Sequence, residues 1–307
     1  MVGFFEMHPW CTVVVPLFNG ERYLHKFLSS LHEAADDYCT YLFIDDASID
    51  NSAAIVLASG LPRKQLFRNQ HNLGLYATIN KALNYVQSDY VCLLFQDDII
   101  ENVYFKQMQQ LTAAYSDTSF LWAETTIIDD SDIERARGLN TGRVEVIAPG
   151  VSAWRDVLKR GTFWTISGSV SKTSRLRYHG FRPELPHCGG YEFLLRAIRK
   201  DTFLYFERPL TRIRLHTQQA STRNLKTSVD IRERMYIYRD QRVRFRKDFD
   251  YPLRLCICWK EMSQVTRRAL GQTVRRQFRQ AAYTISLLPS VIDSMTGNSR
   301  RGRVKRT

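Results

Sequence analysis

The stretch Tyr41-Leu42-Phe43-Ile44-Asp45-Asp46-Ala47-Ser48 is an apolar run that ends on two adjacent carboxylates. Tyr90-Val91-Cys92-Leu93-Leu94-Phe95-Gln96-Asp97-Asp98 repeats the arrangement further along the chain. Short apolar runs bounded by turn residues read as strands buried on both faces. Open α/β sheets bind ligands in the crevice beyond the carboxyl ends of their strands. Paired carboxylates at two such ends therefore point to a nucleotide or metal site, and it is their placement that carries the inference.

Working outward, strand and helix signals alternate through the first 115 residues. Strands are expected at Thr12–Leu17, Tyr41–Ile44, Gln65–Arg68 and Tyr90–Phe95, and helices at Glu21–Leu31, Asp50–Ala58, Leu75–Val86 and Val103–Tyr115. That alternation predicts βαβ units, hence an α/β, Rossmann-like and mostly parallel sheet flanked by helices. From 116 to 222 the regularity fades. Strands are expected at Phe120–Ile128, Arg143–Ile147, Phe163–Val170 and Thr202–Phe206, with a helix at Tyr191–Lys200 and Gly and Pro punctuating the rest. Residues 223–307 read as basic helical segments. The expected organisation is a doubly wound, ligand-binding half at 8–115, a substrate-shaping half of the same domain at 116–222, and a basic, mainly helical C-terminal extension at 223–307.

The 307 residues are 44% hydrophobic, enough for a substantial core. The net charge of +13 is unevenly placed: residues 1–222 hold 23 Lys and Arg against 24 Asp and Glu, whereas 223–307 hold 21 against 7, or +14. The six cysteines, at 11, 39, 92, 188, 256 and 258, form no C-x-x-C pair, which argues against a zinc or disulfide framework. The N-terminal residues lack a basic segment followed by a long apolar one, which argues against a secretory signal. No apolar run reaches bilayer-spanning length. These features predict a cytoplasmic protein.

In order along the chain come Val13-Val14-Val15-Pro16-Leu17-Phe18-Asn19, Ile44-Asp45-Asp46-Ala47-Ser48-Ile49-Asp50, Asn72-Leu73-Gly74, Gln96-Asp97-Asp98 and Arg214-Leu215-His216. Over roughly residues 10–222 this series resembles the inverting family 2 glycosyltransferases, which have the GT-A fold. The resemblance implies that Pro16, Phe18 and Asn19 sit at the base of a nucleotide-sugar and that Asp45 or Asp46 accepts hydrogen bonds from the base or ribose. An ionised carboxylate, acceptor only, suits such donors. It also implies nucleotide contacts from Asn72, Gly74, Asn80, Gln96 and Arg214. Ile79 stands where the family usually has Arg. Gln96-Asp97-Asp98 occupies the place of the D-x-D motif, with Phe95 in the slot of its first Asp, so the resemblance assigns Asp97, assisted by Asp98 and His216, to a Mn²⁺ or Mg²⁺ ion on the diphosphate. Hard cations prefer such oxygen ligands, and neutral imidazole is a common metal ligand.

Inverting transfer requires a base for the acceptor hydroxyl. The family supplies an Asp just before a helix, recognisable here as Tyr191-Glu192-Phe193-Leu194-Leu195-Arg196, but the preceding pair is Gly189-Gly190. Three readings stay open: Glu192 or His187 is the base, the register slips by a residue or two, or the chain is a catalytically impaired member acting as a donor- or membrane-binding assembly partner. The resemblance implies transfer from a nucleotide-diphospho-sugar to a saccharide or lipid-linked saccharide, in bacterial surface polysaccharide synthesis. The basic, aromatic-bearing segments of 223–307 predict docking on an anionic membrane, at the inner face of the plasma membrane, in preference to nucleic acid.

Overall fold

The structure, a computed structural model, describes residues 9–217, 219, 224, 225, 227–274 and 277–296. Gln218, Ala220 and Ser221 of the expected closing motif, and the basic terminus 297–307, lie outside the described residues. The chain divides into two compact units. One holds the described residues up to Ala153 together with Thr162–His216, and the other holds Trp154–Gly161 with the described residues from Thr217 onward.

The first unit begins with β1 (Cys11–Leu17), α1 (Glu21–Glu33), β2 (Cys39–Asp45), α2 (Ser52–Ala58), β3 (Lys64–Arg68), α3 (Leu75–Ala82) and β4 (Tyr90–Leu93). β1 pairs in parallel with β2 and β4, and β2 with β3, so Val13 stands beside both Tyr41 and Cys92. β1 is buried at every position, as a central strand covered on both faces must be. On one face Val13, Val15, Tyr41 and Phe43 pack against Leu24, Phe27 and Leu31 of α1 and against Tyr104, Phe105 and Met108 of α4 (Tyr104–Ala114). Each large apolar side chain so buried contributes about 1.5–3 kcal/mol. The spacing of Tyr23, Leu24, Phe27, Leu28 and Leu31 gives α1 the one apolar stripe this packing needs.

Beyond β4 the sheet becomes mixed. β5 (Ile99–Ile100), β6 (Phe120–Ile128), β7 (Glu134–Arg137), β8 (Val144–Ile147), β9 (Ser169–Lys172) and β10 (Phe203–Arg214) complete it, with α5 (Val151–Arg160), α6 (Thr173–His179) and α7 (Gly189–Ala197) between them. The main order is β3-β2-β1-β4-β9-β6-β10-β5, in which β9 runs antiparallel to β4 and β6 while β6 and β10 are parallel.

Three expected elements shift for identifiable reasons. Residues 163–168 form no strand, because Gly168 turns at φ 78° and the Ser167 hydroxyl accepts the Phe95 N–H at 3.1 Å; the strand begins at Ser169. β10 continues past Phe206 to Arg214 across Pro209, which the ladder accommodates with register shifts between Phe206 and Thr211. The helix at 75 ends at Ala82 and closes with a 3₁₀ turn, Leu83–Tyr85.

The second unit is helical: α8 (Val229–Arg244), α9 (Tyr251–Val274), α10 (Phe278–Ile285) and α11 (Leu288–Thr296). Its interior joins apolar packing of Ile237, Phe249, Ile257 and Val265 to ion pairs from Arg234 to Asp230 and Glu261.

Candidate active site

The loops that end β1 and β2 are knitted together by polar contacts. Asn19 and Ala47 both take left-handed backbone angles, φ 47° and 62°, conformations that cost free energy and cluster at functional sites. Asn19 N–H donates to Ser48 Oγ at 3.0 Å while the Asn19 side-chain oxygen accepts Ile49 N–H at 2.9 Å. Pro16 is buried in β1 and the Phe18 ring is exposed beside it. Asp45 is fully buried; its Oδ1 accepts Ser48 N–H at 2.9 Å, and its Oδ2 lies 3.2 Å from Arg68 Nε. Asp46, also buried, accepts Asn69 Nδ2 and Leu73 N–H on Oδ1 and Gly74 N–H on Oδ2, at 2.7–2.9 Å. Its carboxylate thereby holds the exposed turn carrying Asn72, and Gly74 enters α3 at φ 85°.

Gln96 ties this region to the next acidic turn. Its amide accepts Phe18 N–H and donates to Phe18 C=O, both at 2.9 Å, as a neighbouring strand would. Gly20 lies directly beneath: a Cβ there would stand 2.3 Å from Gln96 Cδ. The glycine makes room for the Gln96 side chain.

Asp97 and Asp98 have different surroundings. Asp97 is partly exposed, and its Oδ2 lies 3.0 Å from His216 Nε2. Asp98 is buried and accepts the Arg214 N–H at 3.0 Å and a hydrogen bond from Ser167. Burial, reinforced by the Asp97 charge, pushes its carboxyl well above the usual carboxylate range. Arg214, implied at the phosphate by the resemblance, is wholly buried. Its guanidinium donates to the carbonyls of Asp97 at 2.9 Å and Asp129 at 2.8 Å and pairs with Asp132 at 2.5 Å. The Tyr23 ring lies 4.8 Å from both the Arg214 Cζ and the His216 ring. Burial and the Asp130 carboxylate push the Tyr23 phenol up to about 12, so its hydroxyl stays a donor to Asp130.

These residues suit a divalent cation through Asp97 and His216. Two neighbouring ligand atoms on an octahedral ion with bonds of about 2.1 Å stand about 3.0 Å apart, the separation found between Asp97 Oδ2 and His216 Nε2. Among the described residues no group of three or more His, Cys, Asp or Glu side chains converges on a metal position. A cation held by this pair would draw its remaining ligands from phosphate and water, as Mg²⁺ commonly does. Asp98, spent on Arg214 and Ser167, supports the turn from below.

At the start of α7, Gly190 N–H donates to Tyr76 Oη at 3.0 Å, and the Tyr76 ring stacks on Phe181 at 5.1 Å. A Cβ at Gly189 would meet the Tyr76 ring at 2.5 Å, whereas one at Gly190 would meet Ile166 at 2.6 Å (Cδ1) and 3.3 Å (Cγ1) and Tyr76 Oη at 3.5 Å. Glu192 is fully buried. Arg196 Nε reaches both its oxygens at 2.8 and 2.9 Å, and Arg182 Nε approaches at 3.2 Å. Enclosed by two guanidinium groups, it serves as an internal ion pair, which leaves half-buried His187, on the turn before α7, as the more accessible of the two candidate bases. Asn80 likewise faces inward: its amide exchanges hydrogen bonds with Phe181 N–H and C=O at 2.9 and 2.8 Å.

Of the residues singled out in the sequence, Pro16, Phe18, Asn19, Asp45, Gln96, Asp97 and His216 meet around the carboxyl ends of β1, β2, β4 and β10. Asp46, Asp98, Asn80, Arg214 and Glu192 brace that region from within. Tyr23, Ser167, Tyr76 and the Asp129–Asp132 turn carry no sequence signal for this role, since each acts through a contact distant in the chain. The Gly189-Gly190 pair was the one hint, because adjacent glycines at a helix start mark a close approach by something bulky.

A parallel half-sheet with acidic loops at its carboxyl ends, joined to a mixed second half, is an α/β architecture of GT-A-like fold. Residues 12–152, just under half of the chain, match the family described as Glycosyl transferase family 2. It is 32% identical over 105 residues to the glycosyltransferase GlyA of Streptococcus pneumoniae, covering 34% of this chain and 15% of that one. To EpsH of Bacillus subtilis it is 25% identical over 225 residues, covering 68% of this chain and 61% of that one. The aligned stretches thus span less than two thirds of these relatives' lengths. The crystal structure of S. aureus TarS 1–349 in complex with UDP-GlcNAc superposes with a TM-score of 0.66 at 15% identity, covering 93% of this chain and 81% of that one.

Proposed function

We propose that this chain transfers a sugar, with inversion, from a nucleotide-diphospho-sugar to a saccharide or lipid-linked saccharide acceptor. The observation that carries the reading is the gathering of Asp45 and of the Asp97–His216 pair at one end of β1, β2, β4 and β10, with the loop after β1 bonded to the Asp45 loop through Asn19 and to the Asp97 turn through Gln96. A nucleotide-sugar complex of a protein with the same fold supports it.

Pro16 and Phe18 flank the base, and Asp45 accepts hydrogen bonds from base or ribose. Asp97 and His216 would hold Mn²⁺ or Mg²⁺, which supplies neutralising charge to the leaving diphosphate. The acceptor oxygen forms its bond to the sugar C1 as the bond from C1 to the diphosphate oxygen breaks, and the hydroxyl proton passes to a base for which His187 is the better-placed candidate. In this reading the chain works in bacterial surface polysaccharide synthesis, with residues 223–307 docked on the inner face of the plasma membrane.

Titration calorimetry of nucleoside diphosphates and nucleotide-sugars, with and without Mn²⁺, on the wild type and Asp97→Ala is the test. Metal-dependent binding lost in the variant is expected; no binding by any nucleotide overturns the reading. Gly190 favours a second reading, a donor-binding member without transferase turnover. Gly190→Asp separates the two: the closest approach to a Cβ at Gly190 is the flexible end of the Ile166 side chain, so transfer gained in this variant and absent from the wild type would establish the second.

A further inference from the structure

One face of α9 is apolar and turned to solvent. Tyr251 is 69% exposed, Leu255 52%, Trp259 77% and Leu270 62%. With half-buried Met262 and exposed Thr266 they fall within an arc of about 100° on the helix. Leu253 and Ile257 on the opposite face, and Val265 and Ala269 along one edge of the stripe, are buried. The stripe is therefore additional to what folding requires, and an indole at 77% exposure is an unusual surface group.

The charges around it are mainly basic, since Asp250, at its start, is paired with Arg155 at 2.7 Å. The only acidic residue of α9 is Glu261, fully buried and held by Arg234 Nε at 2.9 Å and Tyr238 Oη at 2.8 Å. Arg267 on the helix and Arg246 and Lys247 just before it are exposed. A second copy of the chain laid on this stripe would oppose cations to cations with no carboxylate of the helix to relieve them. An anionic bilayer complements them, and Trp and Tyr are the side chains that settle at the headgroup boundary.

We infer that the Tyr251–Leu255–Trp259–Leu270 face of α9 lies in the interface of an anionic lipid membrane and is the docking surface of this protein. The inference deepens the membrane part of the function proposed above and rests on it.

The test is co-sedimentation of the full chain with vesicles of phosphatidylcholine alone and of phosphatidylcholine with roughly one third phosphatidylglycerol. Tryptophan emission is read in parallel. Trp122, Trp154 and Trp164 are buried and Trp10 is half-buried, so a blue shift reports Trp259. Salt-sensitive binding to the anionic vesicles with a blue shift is expected. Leu255→Ser/Trp259→Ser should weaken it by about tenfold or more with the thermal midpoint unchanged, and Trp259→Phe should bind without the shift. No binding to either vesicle overturns the inference, as does binding that the double variant leaves intact. A concentration-dependent dimer abolished by the double variant without vesicle binding would assign the stripe to a second copy instead. Calorimetric nucleotide binding by the same variants keeps the two readings apart: donor binding without vesicle binding refutes only the docking face, and the converse refutes only the donor site.

Discussion

Arg214→Lys separates two roles for a residue that the family pattern puts at phosphate and the structure puts beneath the Asp97 turn. The guanidinium makes three contacts from full burial: the Asp97 carbonyl, the Asp129 carbonyl and the Asp132 carboxylate. A lysine ammonium is a point donor without the fork and recovers one of them. Hydrogen bonds to a charged group contribute about 1.5–3 kcal/mol each. Asp132 is about one-third exposed, so water replaces part of its loss. Two lost contacts, discounted in this way, give a destabilisation of about 3 kcal/mol. With a urea dependence of about 2–3 kcal/mol per molar, the unfolding midpoint should fall by about 1 M with no nucleotide present. Urea titration followed by circular dichroism checks this. An unchanged midpoint, combined with weakened binding of nucleoside diphosphate, would refute the structural role and return Arg214 to the phosphate.

Three further outcomes are expected. For Asp98, the folded pKa is raised above the unfolded value of about 3.9, so the native state binds the extra proton and stability falls as pH rises from about 4 toward the folded pKa. Asp98→Asn, which keeps an acceptor for Arg214 N–H, should remove that component, and the stability difference between variant and wild type should grow across this window in a pH series of melts. Gly20→Ala should expel the Gln96 amide and cost about 1–2 kcal/mol for its two hydrogen bonds; because Gln96→Ala frees the space, the double variant should be non-additive in a thermodynamic cycle. Gly189→Ala, which meets the Tyr76 ring, should cost about 1–3 kcal/mol and melt below Gly190→Ala, whose closest contact is the flexible end of Ile166.

The parallel half was legible because its signals are local. A central strand covered on both faces must be a continuous apolar run, so Cys11–Leu17 and Cys39–Asp45 announce themselves, and the chain order β1-α1-β2 follows from right-handed crossovers. The second half was less so. β7 (Glu134–Arg137) is exposed at every position and has no periodicity to read, and the two-residue β5 is too short for any pattern. β10 crosses a proline that sequence rules place at strand ends or bulges, and only the pairing with β6 shows the bulge that accommodates it.

In the site, identity was legible and orientation was not. Asp97 and Asp98 are adjacent and equal in sequence, yet only one has its carboxylate partly open to solvent. The difference arises from Arg214 and Ser167, both distant in the chain, which meet Asp98 on the buried side of the turn. In an extended or turning backbone adjacent side chains point to opposite sides, so of two neighbouring acids one faces the core. Burial then pushes the Asp98 carboxyl well above the usual carboxylate range, while Asp97 stands partly open beside His216. Asp45 and Asp46 show no such division: both are buried, Asp45 accepting Ser48 N–H and Asp46 three donors of the Asn69–Gly74 turn. In the Asp97–Asp98 pair the buried carboxylate fixes the turn that positions the other, so removing Asp98 should impair binding through loop order, while removing Asp97 should impair it with the fold's melting point retained.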